Sequence, residues 1–206
     1  MKGNRLIVNL SSQEAEIAVL SKNQQVESLE ILVSGISKGN IIDNDSFVES
    51  FQDPKFLRII NTYNFEDIIV GISPSKISTI TQKNTIFDSH EVKAISEENI
   101  YVNQNDSSQI NDNNTLIHSF TLGFILDGKD VVSNPLGMHA RKFETFKLKV
   151  FIDSNISKSL KNLLGNIGFN CPLSIVSNTL AKSLILVDDE NKDFGCYYLN
   201  VGKDVS

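Results

Sequence analysis

Arginine is scarce in this chain. Only Arg5, Arg58 and Arg141 occur, far apart in sequence, and 25 acidic residues outnumber 19 basic ones to give a formal net charge of -6. No stretch is built to neutralise a phosphate backbone, so nucleic acid is not an expected partner. Long apolar runs are missing too. The N-terminal run 6–8 is too short for the core of a secretory leader, and nothing approaches the roughly 18–20 consecutive apolar residues of a membrane span. A cytoplasmic protein without its own membrane segment is the expectation. Cysteine is limited to Cys171 and Cys196. Two cysteines make neither a disulfide framework nor the close-spaced ligand pairs of a zinc site, which predicts reduced, half-buried thiols. His90, His118 and His139 have no metal-ligand spacing with one another or with the cysteines, so no metal is expected. A Walker loop and a cysteine set near a histidine are absent as well. The acidic runs at 97–98 and 188–190 fall near expected helix ends, where carboxylates are solvated. The residues give no independent enzyme signal.

What is present is enough apolar material for a real core. With 206 residues, 40% hydrophobic and 21% charged, the chain suits one domain or two small ones. Three strand candidates come first, "RLIVNL" (5–10), "EAEIAVL" (14–20) and "VESLEILV" (26–33), with joins short enough for a meander. Gly35 and Gly39 then mark turns. A helix is predicted from Asp45 or Ser46, with Phe47 and Phe51 on one face, and Pro54 is expected to kink or end it. The near-continuous apolar run "DIIVGIS" (67–73) has the pattern of a central strand covered on both sides.

From 74 to 153 the texture changes. The polar run "NQNDSSQINDNN" (103–114) lacks apolar anchors and predicts a mobile loop. Around it stand the strand candidates "KISTITQKNTIF" (76–87), "LIHSFTLGFIL" (116–126) and "FETFKLKVFI" (143–152). In the last, Phe146, Leu148, Val150 and Ile152 share one face, and Thr145, Lys147 and Lys149 are expected on a wet one. A short helix is predicted from Ser96, with Asn99 a weak stand-in for the glutamate of a capping box. Past 153, Ile156, Leu160, Leu163, Leu164 and Ile167 form one helical stripe, with Ser154 or Asn155 as cap and Gly168 as stop. A second helix is expected after Pro172, and a closing strand over 196–201 that runs into a glycine turn at Gly202. The layout is α/β, with residues 74–153 as an inserted subdomain between 1–73 and 154–206.

Three colinear blocks carry a resemblance. "SGISKGNIID" (34–43), "VVSNPLGMHARKFETFKLKVF" (131–151) and "PLSIVSNTLAKSLILVDDENKDFGCYYLNVG" (172–202) resemble, in order and spacing, the bacterial cell-division FtsA family of the actin and sugar-kinase superfamily. The resemblance spans essentially the whole chain. It implies an α/β fold, the first domain of an actin-like ATPase with a mixed sheet and helices, carrying a small inserted α+β subdomain. It also implies two facing loops that grip the phosphates of ATP. Such loops need small residues, so that backbone N–H groups approach the phosphates, and an acid on each to position magnesium and water. Where the family's first loop has Asp-x-Gly-Thr, this chain has Asn9, Leu10, Ser11 and Ser12. Where the second has Asp-x-Gly-Gly-Gly-Thr, it has Asn200, Val201, Gly202, Lys203, Asp204 and Val205. Both acids are amides, which keep an acceptor oxygen but no charge. Asp204 adds roughly 4 kcal/mol of repulsion against a phosphate about 4 Å away, at an effective dielectric near 20; Lys203 offsets part of it. Ser11, Ser12, Gly202 and Lys203 are therefore the candidate cofactor-binding positions, on degenerate loops expected not to hold ATP or magnesium.

By the same resemblance, the inserted subdomain makes contacts between protomers and recruits later division proteins. The family's second domain, which binds the tail of the tubulin-like FtsZ, and its membrane-binding C-terminal helix correspond to positions past residue 206. The implied role is thus non-catalytic: septum assembly at the cytoplasmic face of the inner membrane, through divisome proteins or self-association, with an FtsZ contact in doubt. Three other readings stay open. They are a pilus-assembly adaptor of the same superfamily, an ATP-binding protein completed by another chain, and a truncated remnant without function.

Overall fold

The structure, a computed structural model, describes residues 3–73, 75, 77–101, 113–166, 168–169, 171–188, 190–191 and 197. Two compact units emerge, Met1–Lys76 with Asp153–Ser206, and Ile77–Ile152.

In the first unit the period-two pattern forms strands β1 (Asn4–Leu10), β2 (Glu14–Ser21) and β3 (Gln24–Leu32). A two-strand hairpin follows, β4 (Ile36–Ser37) with β5 (Asn40–Ile41), and then the helices α1 (Asn44–Ser50) and α2 (Pro54–Thr62). The cap of α1 is Asp43, two residues before the earlier of the two expected starts. Its carboxylate accepts from the backbone N–H groups of Asp45 and Ser46 at 3.1 and 3.2 Å and from the Ser46 hydroxyl at 2.7 Å. Those hydrogen bonds, led by the Ser46 hydroxyl, hold its pKa below the ordinary 3.8. Pro54 neither kinks nor ends a helix. It starts α2 at the first turn, where the missing N–H costs nothing, and Asp53 caps Lys55 N–H at 2.7 Å.

Strand β6 (Phe65–Ile72) returns to pair with β1 in parallel. After the second unit, α4 (Ser154–Asn166) begins on Asp153, whose carboxylate accepts from Asn155 N–H at 2.8 Å and so takes the capping role expected of Ser154 or Asn155. It ends in a Schellman arrangement: Phe169 N–H donates to the Leu164 carbonyl at 2.9 Å and Gly168 N–H to the Gly165 carbonyl at 3.1 Å.

The segment after Pro172 corrects the sequence expectation of a helix. Residues Leu173–Ser177 form strand β11, parallel to β6, and the helix α5 starts only at Asn178 and runs to Leu186. Ile175 and Val176 are β-branched, which suits a strand, and the segment is held by pairing with Ile68–Ile72 of β6. Ser177 ends it by capping α5, its hydroxyl accepting from Leu180 N–H at 3.4 Å. The sheet order is β11-β6-β1-β2-β3. Its inner face packs on the helices, and a void of about 10 Å³ lined by Leu6, Val8, Phe51, Phe56, Leu160 and Leu163 marks where the layers meet. Phe47, Phe51 and Phe56 pack edge to face in a chain with ring centroids 5.2 Å apart at each step.

The second unit contains β7 (Ser78–Ala94), α3 (Glu97–Tyr101), β8 (Asn114–Leu126), β9 (Val131–Val132) and β10 (His139–Asp153), in a sheet ordered β7-β10-β8-β9. Asn99 closes the capping box of α3 after all, accepting from both the N–H and the hydroxyl of Ser96 at 3.0 Å, while Asn99 N–H donates back to the Ser96 hydroxyl at 3.4 Å. The turn Pro135–Met138 is closed by Met138 N–H on the Pro135 carbonyl at 3.0 Å, with Gly137 at φ +76°, a conformation strained for any residue with a Cβ. This turn is tied to the end of β7 through Ile95, which donates to Met138 and accepts from Gly137.

The face of β10 expected to be wet is not. Thr145, Lys147 and Lys149 are 1%, 3% and 0% exposed, whereas Phe146 and Leu148 are only half-buried. β10 lies inside the sheet between β7 and β8, and neither lysine is without a partner. The apolar core of the unit is Ile95, Phe124, Leu126, Ala140 and Phe143, with the Phe124 and Phe143 rings stacked at 5.6 Å. Most of the run expected to be mobile (103–114) lies outside the described residues, and Asn114 already belongs to β8.

Candidate functional site

The parallel strands β1, β6 and β11 end at Leu10, Ile72 and Ser177, side by side at one edge of the sheet. Carboxyl ends of parallel strands are where open α/β sheets place ligands, because helix N-termini and loop N–H groups converge there. The first candidate loop, Asn9 to Ser12, sits at this edge. The second, with Gly202, Lys203 and its neighbours, lies outside the described residues, as do Cys196 and the strand expected at 196–201.

The first loop is closed on itself. Ser11 N–H donates to the Glu14 carbonyl at 2.9 Å, the Ser11 hydroxyl donates to the same carbonyl at 2.8 Å, and Glu14 N–H donates back to that hydroxyl at 3.1 Å. The Ser11 groups that would face a phosphate are thus spent on a tight β1–β2 hairpin. Ser12 is half-buried at its tip. Asn9 faces the other way from the core and pairs in register with Glu16, and its Nδ2 donates to the Glu16 carboxylate at 2.6 Å. The negative charge at this end of the sheet therefore belongs to β2 and is held by an amide.

Two further residues complete the edge. Gly71 of β6 lies opposite Asn9, and a Cβ there would stand 2.1 Å from Asn178 Oδ1 and 3.5 Å from Asn9 Oδ1. A side chain there would have to displace the Asn178 amide. Asn178, the first residue of α5, also donates from Nδ2 to the Leu10 carbonyl at 3.5 Å, which fixes the start of α5 to the end of β1. Sequence reasoning missed Glu16, Gly71 and Asn178. The alternation in "EAEIAVL" already put Glu14 and Glu16 opposite Ala15 and Ile17, but Asn178 was hidden because its segment reads as the middle of a helix. Cys171, half-buried, sits near Asp67; burial first, and the Asp67 charge second, push its thiol pKa up, which makes it a poor nucleophile. Among the described residues, no group of three or more His, Cys, Asp or Glu side chains could hold a metal, and no helix is long and apolar enough to cross a membrane.

Comparison with known proteins adds two kinds of finding. Residues 75–148 match the family described as the SHS2 domain inserted in FtsA. The cell division protein FtsA of Borreliella burgdorferi is 21% identical over 193 residues, covering 91% of this chain and 46% of that protein. Among solved structures, the PilM-PilN type IV pilus biogenesis complex superposes with a TM-score of 0.55 at 9% identity, over 90% of this chain and 50% of the other. At that identity the likeness is one of fold. The chain spans about half the length of the relatives it matches. Its fold class is the one the sequence implied, a mixed α/β sheet of the actin-like ATPase type, and residues 75–148 are the part similar to the inserted SHS2 domain.

Proposed function

We propose that this chain, FtsA-like in sequence and actin-like in fold, is a cell-division protein that acts in septum assembly by protein–protein contact and not by nucleotide chemistry. The observation that carries this reading is the match of residues 75–148 to the domain inserted in FtsA, which falls on the separate unit Ile77–Ile152. The insert has its own aromatic core, and the division role enters through the FtsA relative that aligns with 91% of the chain. The non-catalytic part rests on the first loop. A magnesium-positioning carboxylate is replaced by Asn9, whose amide is engaged by Glu16, and Ser11 is closed into its own turn. The expected partners are other division proteins or a second copy of the chain, met at the cytoplasmic side of the membrane.

The test is localisation of the tagged protein in dividing cells of its own organism, with and without residues 77–152. Septal placement that depends on the insert is expected. Placement elsewhere, for example at pilus bases, or septal placement that survives removal of the insert, would overturn the reading.

A further inference from the structure

The hairpin β4–β5 is held less by itself than by what it touches. Two residues a side, joined through Lys38 at φ +49° and Gly39 at φ +71°, are too few for a hairpin to persist alone in water. Its base is closed by Gly35, whose carbonyl accepts from Ile42 N–H at 2.8 Å and from Asp43 N–H at 3.2 Å, so the hairpin stands on the cap of α1. Ile36 and Ile41, opposite each other in register, meet Leu10, Ser11, Ile72 and Ile156 around a void of about 10 Å³. That seats them on the carboxyl ends of β1 and β6 and on the first turn of α4. At the tip, the Lys38 carbonyl accepts from Ser75 N–H at 2.9 Å, and Asn40 Nδ2 donates to the Ser75 hydroxyl at 2.8 Å. Ser75 follows β6 and precedes the unit that begins at Ile77.

One small element is thus anchored both to the edge of the first loop and to the chain that leaves β6. We propose that β4–β5 is a latch coupling these two places. Seated, it holds Leu10, Ser11 and Ser75 in one arrangement; unseated, it releases Ser75 and uncovers Leu10, Ile72 and Ile156 together. The seat is weak compared with the sheet. Its polar contacts are exposed, where a hydrogen bond adds little net free energy, and Ile36 and Ile41 are only half-buried. Elements with few buried contacts open locally at a cost well below global unfolding. Leu10, Ile72 and Ile156 beneath it are buried, so exposing them keeps the latch closed at rest. A contact made at the first loop's edge, or on the segment after β6, therefore shifts the same equilibrium. The coupling matters because that segment continues into residues 77–152, and to that extent it rests on the function proposed above.

The experiment is residue-resolved amide exchange with methyl NMR on the full chain, comparing the parent with Asn40→Ala at the tip and Ile41→Ala on the apolar side. Ser75 N–H reports the tip, and the methyls of Leu10 and Ile156 report the seat. Each variant is expected to speed exchange of Ser75 N–H at least about fivefold and to shift both sets of methyls, while the amides of β1 and β2 keep their parental rates. The cross effects carry the test, because a contact that is only local changes its own end. Ser75→Ala keeps the N–H but removes the hydroxyl that Asn40 holds, so it is expected to act like Asn40→Ala and to add nothing to it. Unchanged Ser75 exchange in Ile41→Ala, or unmoved methyls in Asn40→Ala, would overturn the proposal. So would acceleration of the β1 and β2 amides to the same extent, since the sheet itself would then be opening. Failure here leaves insert-dependent septal placement standing, and failure of that placement leaves the exchange result standing.

Discussion

Asn9 shows how one side chain decides what the edge of a sheet can do. Its Nδ2 lies 2.6 Å from the Glu16 carboxylate, so the position has a neutral donor where a nucleotide site needs a negative acceptor. Restoring an acid would set two carboxylates at hydrogen-bond distance. The introduced carboxyl would have a raised folded-state pKa, and a raised carboxyl pKa destabilises above that value and ceases to do so once the group is protonated. Asn9→Asp is therefore expected to cost about 1 kcal/mol at neutral pH, the scale of a like-charge cross-strand pair, and to match the parent near pH 4. Adding Glu16→Gln should recover the loss at neutral pH. Urea unfolding of the three proteins checks this, and an Asn9→Asp variant as stable as the parent at neutral pH would refute it. Gly71 is the second such position. Its absent Cβ would lie 2.1 Å from Asn178 Oδ1, so Gly71→Ala is expected to cost about 1–3 kcal/mol. Most of that should return when Asn178→Ala is added; a double-mutant cycle with no coupling would mean that the contact is not the cause.

At the scale of elements, the aromatic chain in the join of α1 and α2 holds the helices to the sheet. Phe51 contacts both Phe47 and Phe56 and is 1% exposed. Phe51→Ala is expected to lose about 3–5 kcal/mol in urea unfolding. A loss below about 1 kcal/mol would show that the layers close without it. Two aspartates tie backbone ends. Asp43 caps α1, and Asp127 accepts from the N–H groups of Arg141 and Lys142, both at 2.8 Å, with the Lys142 bond the leading cause of its lowered pKa. Both have folded-state pKa values below the ordinary 3.8, so their contribution is present above that value and is lost as pH falls through the lowered one. The thermal midpoint should drop on acidification below 3.8, and less steeply in Asp43→Asn with Asp127→Asn. Identical slopes would contradict this. Strands β1, β2 and β3 were readable because one buried face imposes a period of two, and β6 because its apolar run is near-continuous. β11 was not, since five residues after a proline carry too little pattern to outweigh the helical run that follows. Lys147 and Lys149 alternate as solvent residues do, yet both are buried. At the site, Asn9 was singled out only through the family resemblance, and Glu16, Gly71 and Asn178 meet it through register and close approach, which no linear spacing displays.

For the whole molecule, the two units divide the work. The unit Ile77–Ile152 carries the match to the inserted FtsA domain, while the other holds a five-stranded mixed sheet whose first loop is closed as a hairpin. The inference of a contact protein depends on nucleotide no longer being held, and sequence changes at Asn200, Lys203 and Asp204 point the same way as the geometry at Asn9 and Ser11. Calorimetric titration of the purified chain with Mg-ATP tests this most directly. The account predicts no saturable heat up to about 1 mM nucleotide, and a dissociation constant in the low micromolar range, about -8 kcal/mol, would contradict it.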